Sequence, residues 1–322
     1  MVQVTVNAPA RLHLGFFDLN GGLGRRYGSI GIAIEDIATC VTVSSPGTQI
    51  DSSSEHVKQR ASAARKAICE HLEIAASFAI NVKEYIPSHA GLGSGTQWAL
   101  AIGRAVCELS HRGLRTAEIA AANGRGARSG IGISVFDQGG FVVDLGRGAN
   151  TVVPPPLCRL DFPANWPIIL ITEGNCEGIS GIDEKTAFRE LSPMQSSLAD
   201  KLCRHTLMGI IPAVMEQDYA AFVHSLTAIQ HGIGDYFAPF QGGSRFTSST
   251  VAGVAQQILE EWPQVGIGQS SWGPTGFVVC PSMAVAKEIE TAFNNRQFGK
   301  PSDTLSLNVH VARNHGAIIQ HT

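Results

Sequence analysis

Two different repeats meet at the segment Pro87-Ser-His-Ala-Gly-Leu-Gly-Ser-Gly-Thr96. Upstream, Phe78, Ile80 and Val82 recur at every second position, as a β-strand with one buried face requires. Downstream, Trp98, Ile102, Ala105 and Leu109 keep helical spacing. The predicted order is strand, glycine turn, helix, so the chain must stack a sheet against helices. The glycines let backbone N–H groups approach an anion closely, and the helix N-terminus adds unpaired N–H groups and a positive dipole end. Ser94 and Thr96 supply hydroxyls. No Gly-Lys-Ser/Thr follows, and the spacing is not that of the dinucleotide fingerprint. Phosphate binding is the expectation, set against the plainer alternative of a helix cap with a tight turn.

The same two repeats organise the rest of the chain. Val2, Val4 and Val6 predict a first strand and Ile30, Ile32 and Ile34 a second, joined by the glycine-rich connection Asn20 to Gly28. Val57, Ala61, Ala64, Ile68 and Leu72 predict a helix over 55–74. A short helix at Thr116 to Ala122 leads through an arginine and glycine segment to a hairpin closing on Gly139-Gly140 and a strand at Phe141 to Leu145. Pro154, Pro155 and Pro156 remove backbone donors and favour an extended crossing. The expected domains are therefore 1–155 and 156–322. The second carries strands at Ile168 to Thr172, Phe277 to Cys280 and Leu305 to Val311, with helices over 196–215, 219–230, 249–261 and from Met283, an α+β pattern.

A chain of 322 residues, 44% hydrophobic and 16% charged, can bury more than one core. Its net charge of -3 gives no long-range attraction to nucleic acid or to an anionic membrane, so small-molecule chemistry is favoured. The seven cysteines are scattered and never form a CxxC pair, which argues against a disulfide framework or zinc knuckle and for a reducing, cytoplasmic setting. The N-terminus has no basic start, and no apolar run nears the roughly 18 residues of a membrane span.

The glycine turn resembles the second motif of the GHMP family, which includes galactokinase, homoserine kinase and mevalonate kinase. Ala8-Pro9-Ala10-Arg11 with Gly15 is similar to that family's N-terminal motif, and Gly268-Gln-Ser-Ser-Trp-Gly-Pro-Thr-Gly276 to its C-terminal glycine motif. The resemblance implies a two-domain α+β GHMP-kinase fold. Its N-terminal domain would be like the second domain of ribosomal protein S5, its C-terminal domain ferredoxin-like, with the site in the cleft between them. The kinase pattern is broken at two points. The Ser-Gly-x-Asp segment of many members reads Ser129-Gly130-Ile131-Gly132 here, and the acidic position that mevalonate-kinase-like members use for magnesium falls on Ala121. Neither glycine nor alanine can take a proton or hold a cation. In exchange the segment gains Arg125 and Arg128, whose forked guanidinium groups match phosphate oxygens, and Arg25 and Arg26 could add to their field.

The combination of Arg11-Leu-His-Leu-Gly-Phe-Phe-Asp18, Arg125-Gly-Ala-Arg-Ser-Gly-Ile-Gly132 and Gly268 to Thr275 resembles the β-ribofuranosylaminobenzene 5'-phosphate synthase family of methanopterin biosynthesis. That resemblance implies a condensation of phosphoribosyl pyrophosphate with 4-aminobenzoate or 4-hydroxybenzoate, releasing CO2 and pyrophosphate. It implies Mg2+ carried with the pyrophosphate, no organic cofactor, and a homodimer. By the same resemblance Arg11, His13 and Asp18 are the candidate catalytic residues. Gly91, Gly93, Ser94, Gly95, Thr96, Arg125 and Arg128 bind phosphate, and Arg25, Arg26, Ser270, Ser271, Trp272 and Thr275 bind substrate. Trp272 or Phe16 would stack on the arene, and His89 is given no role. The competing readings of the residues are a turn cap for Asp18, a core histidine for His13 and a core tryptophan for Trp272. For the whole chain they are an ATP-dependent kinase or a non-catalytic binder of phosphorylated metabolites.

Overall fold

The computed structural model describes residues 2–52, 54–174, 186–187, 190–296, 298 and 304–322. Its first strand, β1 (Val2–Asp18), is far longer than the Val2 to Val6 alternation predicts. From Ala8 to Phe16 every residue except Arg11 is buried, and a strand covered on both faces reads as a continuous apolar run rather than an alternation. The chain turns back into β2 (Tyr27–Ser45), antiparallel to β1 with Val4 opposite Val43 and Leu12 opposite Ile32. The register slips at Pro9/Ala10, where proline has no N–H for the ladder, and at His13/Gly15, where Gly15 adopts φ +135°.

Five further strands complete this seven-stranded sheet: β3 (Ile50–Asp51), β4 (Ala79–Glu84), β5 (Phe141–Asp144), β6 (Pro156–Leu160) and, from the far end of the chain, β11 (Ile318–His321). Sheet membership does not follow the expected division at residue 155, because β6 pairs with β5 and β11 with β1. Helices α1 (Glu55–His71), α2 (Ser94–Leu109), α3 (Thr116–Ala122) and α4 (Ile131–Gln138) follow in the first half. Val57, Ile68, Trp98, Ile102 and Ile119 pack with Val4, Val6, Val41 and Val43 into one core. The helix α4 replaces the expected hairpin. Ile133 and Phe136 enter that core while Ile131 and Val135 pack with Ala33 and Val142, so α4 is buried on two sides and its sequence shows no helical stripe.

The second sheet is antiparallel and holds β7 (Ile168–Glu173), β8 (Gly266–Gln269), β9 (Gly276–Val279) and β10 (Leu305–His310) in the order β10-β7-β9-β8. Counted along the chain this is 4-1-3-2, the order of a β-α-β-β-α-β ferredoxin-like unit, as expected. Between β7 and β8 run α5 (Ser196–His205), α6 (Ile211–Glu216), α7 (Tyr219–Phe237) and α8 (Ser249–Glu261), and α9 (Met283–Asn294) joins β9 to β10. The single helix expected over 196–215 is interrupted by a π turn at Thr206–Ile210, next to Pro212, which cannot donate to the helix ladder. Phe222, Leu226 and Ile229 of α7 share a core with Leu12, Leu14 and Ile30, and Gln230 donates to the Leu14 carbonyl at 2.5 Å. The two sheets are thereby locked around β1. No helix among the described residues is long and apolar enough to cross a membrane.

Candidate functional site

Gly93 caps α2 in the left-handed conformation (φ +83°) without a side-chain cap, and no acidic residue lies in the first turn. The N-terminus of α2 therefore presents N–H groups and its positive dipole end without a carboxylate beside them. It opens on a cavity of about 490 Å³. Gly91, Gly93, Ser94, Gly95 and Thr96 line it, with Arg11 from β1, Arg125 and Arg128 from the segment between α3 and α4, and Ser271, Trp272 and Gly273 from the β8–β9 turn. The sequence motifs separated by most of the chain thus converge.

The glycine spacing is what permits this convergence. A Cβ on Gly91 would stand 2.5 Å from the Ser270 carbonyl and 2.8 Å from the Gly273 Cα, so the two glycine turns touch backbone to backbone. A Cβ on Gly93 would meet the Arg11 side chain at 2.9 Å, and one on Gly95 the Arg125 guanidinium at 3.0 Å. Each glycine makes room for one neighbour. Arg11 donates through Nη1 to the Gly91 carbonyl, and the Ser270 hydroxyl donates to the same oxygen at 2.7 Å.

The cavity also receives residues that the motifs do not mark. His56 and Arg60 of α1 and the loop residue His89, expected to be incidental, all line it. Arg60 brings the guanidinium groups to four, with Arg11, Arg125 and Arg128, and no Asp or Glu is among the lining residues described. Burial first and the Arg125 charge second push the Arg60 guanidinium below its usual value. A fully buried carboxylate, Asp144 at the end of β5, holds the segment that follows Arg128. It accepts from the Ser29 hydroxyl at 2.5 Å, the Ser129 hydroxyl at 3.3 Å, and the N–H groups of Gly130 and Gly146 at 2.9 and 2.8 Å. Burial raises its pKa even against these donors.

Position 132, an aspartate in many kinases that the sequence resembles, faces Thr96. A Cβ there would lie 3.1 Å from the Thr96 methyl, and the Gly132 carbonyl accepts from Gln97 Nε2 at 2.8 Å. The neighbours have closed over the place of a longer side chain.

Most of the other expected site residues lie elsewhere. Among them, His13 is buried beneath the site, its Nδ1 accepting the Gly15 N–H at 3.2 Å, its backbone N–H donating to the Ser270 hydroxyl. Its ring lines a separate small cavity with Gln230, Gln241 and Gln269. Burial and then the Arg11 charge hold its pKa well below the usual value, so the ring is neutral near pH 7. Phe16 packs on it, with ring centroids 4.7 Å apart, inside the core. Asp18 ends β1 as a turn cap, accepting the N–H groups of Asn20 and Gly21 at 2.8 and 2.9 Å. Arg25 donates to the carbonyls of Leu145 and Gly146, and the Arg26 backbone pairs with Arg147; none of these three lines the cavity. Ser270 and Thr275 are buried within the turn, while Ser271 reaches the cavity; Trp272 borders it but is a buried core residue, tilted against Phe237 with ring centroids 4.4 Å apart. A larger hollow of about 770 Å³ between α5 and α7, with Glu190, Lys201, His231 and Asp235 in its wall, gathers charges of both signs without any of the three motifs.

The family model described as GHMP kinases N terminal domain matches residues 56–142, which contain the glycine turn, Arg125 and Arg128. A curated β-ribofuranosylphenol 5'-phosphate synthase of Archaeoglobus fulgidus is 32% identical over 88% of this chain and 89% of its own length. The chain belongs to the β-ribofuranosylphenol 5'-phosphate synthase family. A second member, from Methanothermobacter thermautotrophicus, is 30% identical over 87% of this chain and 89% of its own. The fold of this family member is that of the GHMP kinases: L. major mevalonate kinase, solved in complex with R-mevalonate, aligns with a TM-score of 0.70 at 14% identity, covering 96% of each chain. At that identity the likeness is one of fold alone.

Proposed function

We propose that this family member joins phosphoribosyl pyrophosphate to a para-substituted benzoate, releasing pyrophosphate and CO2. The observation that carries the reading is the cavity itself: four arginines and a helix N-terminus converge, with no Asp or Glu among the lining residues described. That is a cradle for several phosphoryl charges and a poor place for a kinase base. With 4-hydroxybenzoate the product is a β-ribofuranosylphenol 5'-phosphate, the compound for which the curated relatives are named; with 4-aminobenzoate it is the aminobenzene counterpart.

The C1'–O bond breaks first in character, and its electron pair leaves with pyrophosphate, giving the ribose oxocarbenium-like charge. Arg11, Arg125 and Arg128, with the α2 N–H groups, stabilise the departing oxygens. The ring carbon bearing the carboxylate donates an electron pair to C1', forming the new C–C bond. The C–CO2 bond then breaks and its pair restores aromaticity. No proton is removed from carbon, which fits a site without a carboxylate base. The described lining offers hydroxyls but no carboxylate to anchor magnesium, so Mg2+ is taken to arrive on the pyrophosphate oxygens as part of the substrate. The chemistry requires no organic cofactor.

The test incubates purified protein with magnesium, phosphoribosyl pyrophosphate and carboxyl-labelled 4-hydroxybenzoate or 4-aminobenzoate. Release of CO2 and pyrophosphate in equal amounts is expected, and Arg128→Ala should lower kcat/KM for phosphoribosyl pyrophosphate roughly ten- to hundredfold. No release with either benzoate would sink the proposal.

A further inference from the structure

Next to the phosphate cavity lies a much smaller one, and Ser271 stands in the wall of both. It measures about 20 Å³, room for one water-sized group. Leu14, Phe16, Ile233 and Phe237 give it apolar sides. Its three buried glutamines are already engaged. Gln230 joins the Leu14 carbonyl to the Gln269 N–H, Gln269 Nε2 donates to Gln241 Oε1 and to the Ser271 carbonyl, and Gln241 Nε2 donates to the Ser244 carbonyl. The exposed Arg245 is held by both carboxylate oxygens of Asp235.

His13 differs from these. Its Nδ1 accepts the Gly15 N–H, so the ring, which burial keeps neutral, carries its proton on Nε2. That Nε2–H has no hydrogen-bond partner, alone among the buried side-chain polar atoms described for this lining. A buried donor without an acceptor is costly, so the place calls for one small acceptor atom. A water molecule fits the volume. The apolar sides and the wall shared with the phosphate cavity favour instead a substituent on an aromatic substrate. In a para-substituted benzoate the reacting carbon lies directly across the ring from that substituent. Seating the substituent here turns the reacting carbon back toward Ser271 and the phosphate cavity.

We infer that the small cavity receives the para oxygen of the acceptor ring, with the His13 Nε2–H as its donor, and that His13 thereby selects an oxygen over an amino substituent. The inference rests on the synthase reading and deepens it, because it names the acceptor class and the residue that reads it. A phenol oxygen accepts from Nε2–H. An aromatic amino group, whose lone pair is shared with the ring, accepts poorly. His13 is on this account a substrate-contacting specificity residue, although it lies outside the phosphate cavity.

The experiment titrates 4-hydroxybenzoate, 4-aminobenzoate and unsubstituted benzoate into the full-length protein by calorimetry. Wild type should bind 4-hydroxybenzoate roughly ten- to hundredfold more tightly than benzoate, with 4-aminobenzoate near benzoate. In His13→Phe that ratio should shrink to within about threefold, and His13→Gln, which keeps an N–H donor, should recover part of it. A ratio taken within one variant is insensitive to some loss of folded protein. In wild type labelled with 15N-histidine, 4-hydroxybenzoate should shift the Nε2 resonance that His13→Phe removes, and benzoate should leave it in place. No binding of 4-hydroxybenzoate, equal affinity for it and benzoate, a ratio unchanged in His13→Phe, or an unmoved resonance would each overturn the inference, leaving a structural histidine beside one water. Turnover of 4-hydroxybenzoate alongside any of these keeps the synthase reading. A His13-dependent preference without turnover would do the reverse.

Discussion

Gly91 and Gly95 sit four residues apart in one turn and should respond to the same substitution in opposite ways. At Gly91, with φ +78°, a methyl group meets backbone at 2.5 and 2.8 Å and cannot be accommodated by a rotamer change. Gly91→Ala is expected to destabilise the fold by about 2–4 kcal/mol, read from denaturant midpoints. At Gly95 the methyl meets only the movable end of Arg125, so Gly95→Ala should leave the midpoint nearly unchanged while raising KM for phosphoribosyl pyrophosphate. His13 supplies a pH signature. Its folded pKa lies well below the usual value, so below about pH 6.5 the unfolded chain binds the proton that the folded chain refuses. Stability is therefore fully present above that pH and falls as pH drops below it, with a slope from this residue of at most about 1.4 kcal/mol per pH unit. Burial also lowers the pKa of His205, His231 and His310, so the His13 part is the slope that His13→Gln removes. At this scale the sequence marks Arg11, Arg125 and Arg128 because each lies within one of the motifs, and in the fold Gly93 and Gly95 make room for the first two. Arg60 and Asp144 carry no such mark: one is one of two arginines on an amphipathic helix, the other the last residue of a strand, and only the fold brings them to the site. Asp18, Arg25 and Arg26 also stand near glycines, but there Asp18 caps its own turn and Arg25 ties that turn to the carbonyls of Leu145 and Gly146.

The element that decides how the arginines are presented is α4 rather than the hairpin expected in its place. Its first residues hang from β5 through Asp144, which receives Gly130 N–H and the Ser129 hydroxyl two positions or fewer after Arg128. Asp144→Asn keeps the shape but offers one acceptor oxygen where the carboxylate has two, leaving donors from Ser29, Ser129, Gly130 and Gly146 in competition. The expected result is a loss of about 1–3 kcal/mol in stability, measured by denaturant unfolding, together with a higher KM for phosphoribosyl pyrophosphate as the Arg125 to Arg128 segment loosens. Elements with one buried face, such as α1, β4 and β10, follow the period that the sequence shows. Those buried on two faces, α4 and the inner half of β1, do not, because burial on both sides erases the alternation from which period is read.

At the scale of the molecule the net charge of -3 and the arginine cavity are not in conflict, since a concave site surrounded by low-dielectric protein keeps its own field. Filling that cavity should stabilise the whole fold: pyrophosphate at a hundred times its Kd should add about 2.7 kcal/mol, seen as a concentration-dependent rise in Tm. The order of the sheets was readable only in part. Three strands of the second sheet are legible in the sequence and its ferredoxin-like order only through the family resemblance, since β8 (Gly266–Gln269) lies in a glycine motif without strand periodicity; the union of β1 with β11 joins Val4 to His321 and has no local signature. That pairing sets a timetable for the chain as it is made. The half that emerges first from a ribosome carries the glycine turn and most of the arginines, yet one edge of its sheet stays uncovered until residues 318–321 arrive. Until then the Val4 to Asn7 edge is open to pairing with another strand.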